Sequence, residues 1–179
     1  MGQTSVQWWN KTKKDGRKLV DWLQNQYHGE VTAADRIEQY CTSQAPEEWK
    51  EMLKTIAMQE RMHAVWVGDL LKRRGHEPAV LVKDERYWNV TLEISDFESA
   101  TAVAAHAEKM RLERIEVIAN DLKGPGDVRN VFKRILRDER FHAKAFEKMA
   151  GPVAMDKTRA AHELGLEALG LVNFSEAVA

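Results

Sequence analysis

Cysteine occurs once in the 179 residues, at Cys41, which excludes an intramolecular disulfide and any cysteine-built zinc or rubredoxin-type iron site. Proline occurs four times, so little interrupts helix formation. Neither sign of charge dominates: 27 Lys+Arg face 28 Asp+Glu, a formal net charge of -1, which argues against a nucleic-acid partner. No uninterrupted apolar run approaches the roughly 20 residues that a membrane-spanning helix needs. The segment from Met1 to Lys18 is lysine-rich and lacks the apolar centre of an export signal. A reducing, cytoplasmic location is therefore expected. With 44% apolar and 31% charged residues, the chain is expected to fold as one domain over residues 1–179.

What is present reads as helix. The first long helix is expected from about Lys18 to Cys41, before Thr42-Ser43-Gln44-Ala45-Pro46. The second opens at Pro46-Glu47-Glu48, where proline and two acids suit a helix N-terminus, and runs to about Arg74 before Gly75. The third starts near Ser95 or Asp96 and reaches Leu122. Lys123-Gly124-Pro125-Gly126-Asp127 breaks the chain, and the fourth runs to Ala150, closed by Gly151-Pro152. A shorter helix is expected from about Met155 to Leu171. Short loops join the first two and the last two long helices, whereas about 75–95 forms a long crossover. The expected architecture is all-α: an up-down-down-up four-helix bundle over about 18–150, with a short C-terminal helix.

The two hairpins repeat each other. His28-Gly29-Glu30 followed by Asp35-Arg36-Ile37-Glu38 aligns with His106-Ala107-Glu108 followed by Glu113-Arg114-Ile115-Glu116, five identities in eleven positions. Glu60-Arg61-Met62-His63-Ala64 aligns in the same way with Glu139-Arg140-Phe141-His142-Ala143. Two Glu-x-x-His pairs are close to what 18 Glu and 6 His in 179 residues produce by chance; their matching places in a repeat are not. Each pair also follows a Glu on the preceding helix, Glu30 by 30 residues and Glu108 by 31. That spacing can set the carboxylates at similar heights on facing helices. Phase agrees, because Leu23, Ala33 and Ile37 share a stripe with Glu30, and Ile56, Ala64 and Val67 share one with Glu60 and His63. Ala104, Ala105 and Ile115 flank Glu108, with Thr101 the one polar member; Phe132, Ile135 and Phe146 flank Glu139 and His142.

Four carboxylates and two imidazoles in one core cannot stay bare, since an isolated buried carboxylate costs several kcal/mol. Two divalent cations balance the four negative charges, and each gains one imidazole. A bundle core that presents a Glu from each of two helices and a Glu-x-x-His from each of the other two is the ligand pattern known in di-iron proteins.

On these residues the chain resembles the ferritin-like di-metal carboxylate superfamily, most nearly its rubrerythrin and bacterioferritin branches, without a rubredoxin module. The resemblance implies a metal shell of Glu30, Glu60, His63, Glu108, Glu139 and His142, with Glu60 and Glu139 as the bridging, catalytic carboxylates. It implies two iron ions, or a manganese–iron or dimanganese pair, acting with dioxygen or peroxide and an electron donor. Asp138, just before the ligand Glu, matches a frequent family feature that hydrogen-bonds a ligand histidine; Gln59 stands in its place in the other half, which makes the two metal positions unequal. The fifth metal-site Glu of many rubrerythrins is replaced by Arg111, which counts against a peroxidase in particular. A homodimer is expected. Alternatives are a ferroxidase of an iron-storage cage and a catalytically idle metal-binding bundle.

Other residues read as scaffold. Glu113 competes with Glu108 as the third-helix ligand, but Glu113 and Glu116 have Arg111 and Arg114 as neighbours and suit a solvated face. His28 and His106 point away from the ligand stripe, at about 100° per residue, and suit a surface or interface role. His76 and His162 carry no signal. Cys41 reads as a small buried hydrophobe, Trp8-Trp9 as a packing or subunit anchor, and Met52, Met58 and Met62 as core filler.

Overall fold

The computed structural model describes residues 4–91 and 96–169, without the side chains of 40–43 and 89–91. The chain forms α1 (Ser5–Thr12), α2 (Gly16–Ser43), α3 (Glu47–Lys72), α4 (Arg86–Thr91), α5 (Phe97–Asn120), α6 (Gly126–Lys157) and α7 (Arg159–Ala168), and no strand among the described residues. The four long helices are those read from the sequence, displaced by a few residues at their ends. α2 packs along α3 and α5 along α6, the two expected hairpins. No helix of the described residues is long and apolar enough to cross a membrane.

Three elements depart from expectation. The polar N-terminus contains α1, started by a reciprocal cap in which Thr4 Oγ1 accepts from the Gln7 N–H and Gln7 Oε1 accepts from the Thr4 N–H, each at 3.2 Å. Trp9 fixes this helix to the bundle: it is 2% exposed, and its Nε1 donates to Asp121 at 2.8 Å. Trp8, Trp9 and Trp22 form one aromatic cluster, which Trp22 extends to Phe132 at 5.0 Å between ring centroids. The crossover is not wholly irregular, since α4 lies within it.

The third departure is at the C-terminus. Gly151, at φ 69°, kinks α6 where a break is expected, and a residue with a side chain would be strained there. Helix then resumes to Lys157, and Thr158 divides it from α7, so no single helix begins at Met155. α7 lies on α4, and Gly165 permits the contact, because a Cβ there would sit 2.5 Å from the Tyr87 ring. The start of α5 is capped by Asp96, which accepts from the Ser99 N–H at 2.7 Å. Ser95, the other expected start, and Gly170 and Leu171 lie outside the described residues, as does the side chain of Cys41.

Two buried apolar clusters fill the bundle. One contains Leu23, Val67, Ile115, Phe132 and Ile135; the other contains Ile37, Leu53, Ile56, Ala105 and Phe146. On every long helix the residues between the two sets are the charged candidates: Glu30 on α2, Glu60 and His63 on α3, Glu108 on α5, Glu139 and His142 on α6. A polar layer is thus clamped between two apolar ones, whose packing restrains its side chains.

Candidate metal centre

The six side chains meet. Glu30, Glu60, His63, Glu139 and His142 are each 0% exposed, and Glu108 is 5% exposed. They form two overlapping groups, Glu30–Glu60–His63–Glu139 and Glu60–Glu108–Glu139–His142, each offering four ligand atoms within 4.8 Å of one another. Glu60 and Glu139 belong to both. Glu60 turns Oε2 toward His63 Nδ1 at 3.6 Å and Oε1 toward His142 Nδ1 at 3.2 Å. Glu139 does the same, with Oε1 3.5 Å from His63 Nδ1 and Oε2 3.5 Å from His142 Nδ1. Glu30 Oε2 completes the His63 side at 3.7 Å.

A direct test of metal fit is whether these atoms are satisfied without a cation. They are not. Both oxygens of Glu60 and of Glu139, Oε2 of Glu30 and of Glu108, and Nδ1 of both histidines are buried and lack a hydrogen-bond partner. Buried polar atoms are almost always partnered, so eight orphans converging on one point fit two cations of the hard-to-borderline kind that oxygen and imidazole ligands favour.

The outward nitrogens are held, and crosswise. His63 Nε2 on α3 donates to Asp138 Oδ2 on α6 at 3.3 Å, while His142 Nε2 on α6 donates to Gln59 Oε1 on α3 at 2.9 Å. Each bond leaves Nδ1 facing inward, as a ligand nitrogen must. One acceptor is a carboxylate and the other an amide, so the two halves are chemically unequal.

Arg111 is the residue whose role the sequence conceals. It stands one turn after Glu108, and its Nη2 lies 3.0 Å from Glu30 Oε1 and 3.7 Å from Glu139 Oε1; Nη1 lies 3.6 Å from Glu108 Oε2. Its signal was the missing fifth Glu, but only the fold shows a cation reaching three carboxylates. Gln26, one turn before Glu30, donates to Glu30 Oε1 and was also unread.

Electrostatics follow from burial. Loss of water pushes the Glu30 carboxyl up to about 7 and raises Glu108 well above the ordinary carboxylate range. Burial pushes His142 downward, but the carboxylates of Glu139 and Glu60 facing its Nδ1 outweigh it and lift the imidazole to about 9. His63 is raised too, with burial outweighed by Glu139, Glu30 and Glu60. Without metal, protons on the imidazoles thus stand in for part of the missing positive charge.

The remaining candidates fall elsewhere. Glu113 is exposed on α5 and accepts from Ser5 Oγ at 2.7 Å, and Glu116 pairs with Arg140 at 2.7 Å, so neither joins the cluster. His28 is not a surface residue: it is 4% exposed, its Nδ1 accepts the Leu81 N–H at 3.1 Å and its Nε2 donates to Glu85, pinning the crossover to α2. His106 and His162 stack at 4.7 Å, and Tyr87 Oη donates to His162 Nδ1 at 2.8 Å, an arrangement joining the crossover to the C-terminal helix that neither histidine announces in sequence. Met58 and Met62 are exposed at 63% and 46% rather than filling the core.

A cavity of about 340 Å³ adjoins the centre, touching Glu108 and Arg111 but not Glu30. Phe146 lines it, whereas Val67 lies in the other core cluster, with Tyr27 and Leu112 packed against that cluster. A protein-family model described as Rubrerythrin matches residues 21–150, the segment holding all six side chains. No curated protein and no solved structure matches the chain.

Proposed function

The chain belongs to the rubrerythrin family, and from that premise we propose that it is a dinuclear iron oxidoreductase acting on dioxygen or peroxide. The observation that carries this reading is the set of eight buried, partnerless ligand atoms aimed at one another. Glu30 and His63 would hold one ion, Glu108 and His142 the other, with Glu60 and Glu139 bridging. Manganese could replace one or both ions with the same donor set. Bound iron supplies one electron per ion to the oxygen species.

The protein's own groups do the rest. Asp138 and Gln59 fix the imidazole rings, Gln26 holds the outer oxygen of Glu30, and the two apolar clusters flank the layer above and below. Arg111 supplies a permanent positive charge at the site, which favours negative charge developing there. Its place also lacks the fifth carboxylate associated with a peroxidase, which favours dioxygen over peroxide. α7 packs on its own chain at Tyr87, which weighs against its use in a storage cage. Exposed Met58, Met62 and Val65 share one edge of α3 and supply the apolar face for a homodimer. The single cysteine and the need for an electron donor agree with a reducing, cytoplasmic setting.

The reading is tested by anaerobic loading with ferrous iron followed by exposure to dioxygen or peroxide. Oxidation of two iron ions per chain, renewed over several turnovers by an added reductant, is expected. Iron that oxidises once and accumulates as a mineral inside a large shell would establish storage instead.

A further inference from the structure

We propose that the cavity beside Glu108 binds a small organic acid of about ten non-hydrogen atoms in all, an apolar body ending in one carboxylate, which is held by Arg36. This rests on the oxidoreductase reading only in making that acid the substrate class of the centre; the binding itself stands on the cavity. At about 340 Å³ the space admits roughly ten groups, taking about 30 Å³ for each water-sized one. It falls within the size of small-molecule pockets, which are mostly apolar with a few placed polar groups. Ile37, Leu53, Trp88, Phe97, Ala104 and Phe146 supply apolar wall, and such surface gains nothing from enclosing water or a small oxygen species alone. The lining includes Glu108 and Arg111 of the centre and, from the crossover, the exposed Lys83, Asp84 and Arg86 with the half-buried Glu85.

Arg36 selects the anion. Its Nε donates to the Thr32 carbonyl at 3.1 Å, its Nη2 donates to Thr32 Oγ1 at 3.0 Å, and its guanidinium lies 4.1 Å from the Trp88 ring centroid. It is partly buried, lines the cavity and forms no ion pair within 4 Å among the described residues; of the acids that act on it at longer range, Glu85 is engaged by His28 and Glu108 belongs to the centre. Arg111, by contrast, is already balanced by Glu30. A fixed, partly buried guanidinium without a close ion pair among the described residues suits a carboxylate. The cavity touches the Glu108 side of the centre and not Glu30, so a bound molecule approaches the half whose histidine is held by Gln59.

Octanoate, a monocarboxylate with ten non-hydrogen atoms, is the probe, with 1-octanol as its uncharged counterpart. Calorimetric titration of the full chain, metal-loaded and metal-free, is expected to show one saturable octanoate site and binding of 1-octanol weaker by about tenfold or more. Arg36→Gln is expected to weaken octanoate by about tenfold and leave 1-octanol unchanged. Ala104→Phe, checked for native helicity, is expected to abolish both by filling the cavity. Absence of a saturable octanoate site, equal affinity for the acid and the alcohol, or an unchanged Arg36→Gln would overturn the proposal. A chain that takes up two metals yet binds no octanoate would sink this inference alone. A chain that binds octanoate but takes up no metal would sink the oxidoreductase reading and leave the receptor.

Discussion

Arg111 Nη2 lies 3.0 Å from Glu30 Oε1, a guanidinium set against a carboxylate that is 0% exposed and offers its other oxygen to the centre. A side-chain cation thus already occupies the negative layer that a metal pair is proposed to neutralise. With it, the unprotonated layer carries three net negative charges; two divalent ions bring it to one positive. Arg111 therefore competes with the second ion more than with the first.

Replacing Arg111 by Gln removes that competitor. Two unit charges about 4 Å apart interact by about 4 kcal/mol at an effective dielectric constant near 20, and relaxation leaves a part of it. Arg111→Gln is expected to tighten the weaker metal-binding step on the order of tenfold while lowering the melting temperature of the metal-free protein. Competition with a chromophoric chelator and thermal denaturation read the two effects. Weaker binding at both steps would show that Arg111 builds the site instead of opposing its loading.

The crossed hydrogen bonds would give each proposed metal position its own support. Loss of such a partner typically costs 10–100-fold in metal affinity. Asp138→Asn is expected to weaken the step served by His63, and Gln59→Leu the step served by His142, each sparing the other. Equal losses at both steps in both variants, read in a two-step titration, would mean that the halves are not separately supported.

Stability against pH should reverse on metal removal. Without metal, Glu30 at about 7 and His142 at about 9 both bind protons more tightly folded than unfolded, from ordinary values of 4.5 and 6.5. Their contribution is complete at low pH and is lost as pH rises through those folded values. The metal-free melting temperature should therefore fall between about pH 4.5 and 9, first through Glu30 and then through His142. The loaded protein needs the deprotonated forms, so metal-induced stabilisation should grow over the same range, with protons released on loading near neutral pH from both imidazoles and from the raised carboxyls Glu30 and Glu108. A metal-free curve that rises toward pH 9 would contradict this charge assignment.

Trp9 tests the element that the sequence hid. Removing a buried Trp side chain costs about 3–5 kcal/mol, and here it also removes the bond to Asp121. Trp9→Ala should destabilise the fold by that amount, read by chemical denaturation, without changing the number of ions bound. A change in that number would tie α1 to the centre itself.

The legible and illegible parts of the molecule separate on physical grounds. Glu30, Glu60, His63, Glu108, Glu139 and His142 were readable because helical periodicity and the internal repeat agreed at each position, and both are properties of residue spacing. Glu113 competed with Glu108 in the sequence, and its arginine neighbours pointed to a solvated face, where Ser5 takes up the exposed Glu113. Arg111 was not readable, because its function depends on how far a long side chain reaches between helices. The burial of His28 depended on where an irregular crossover lies, which no period encodes. α1 had a readable start, Thr4 with Gln7 three residues later, but its lysines outweighed two adjacent tryptophans whose value comes from a partner, Asp121, far along the chain. The cavity is a gap between backbones and leaves no mark on sequence.

The most direct measurement is an anomalous-scattering map, at the iron edge, of crystals of the ferrous-loaded protein. Two peaks per chain are expected, both flanked by Glu60 and Glu139, one next to His63 and the other next to His142. A single peak, or none, or iron bound away from these six side chains would contradict the dinuclear centre.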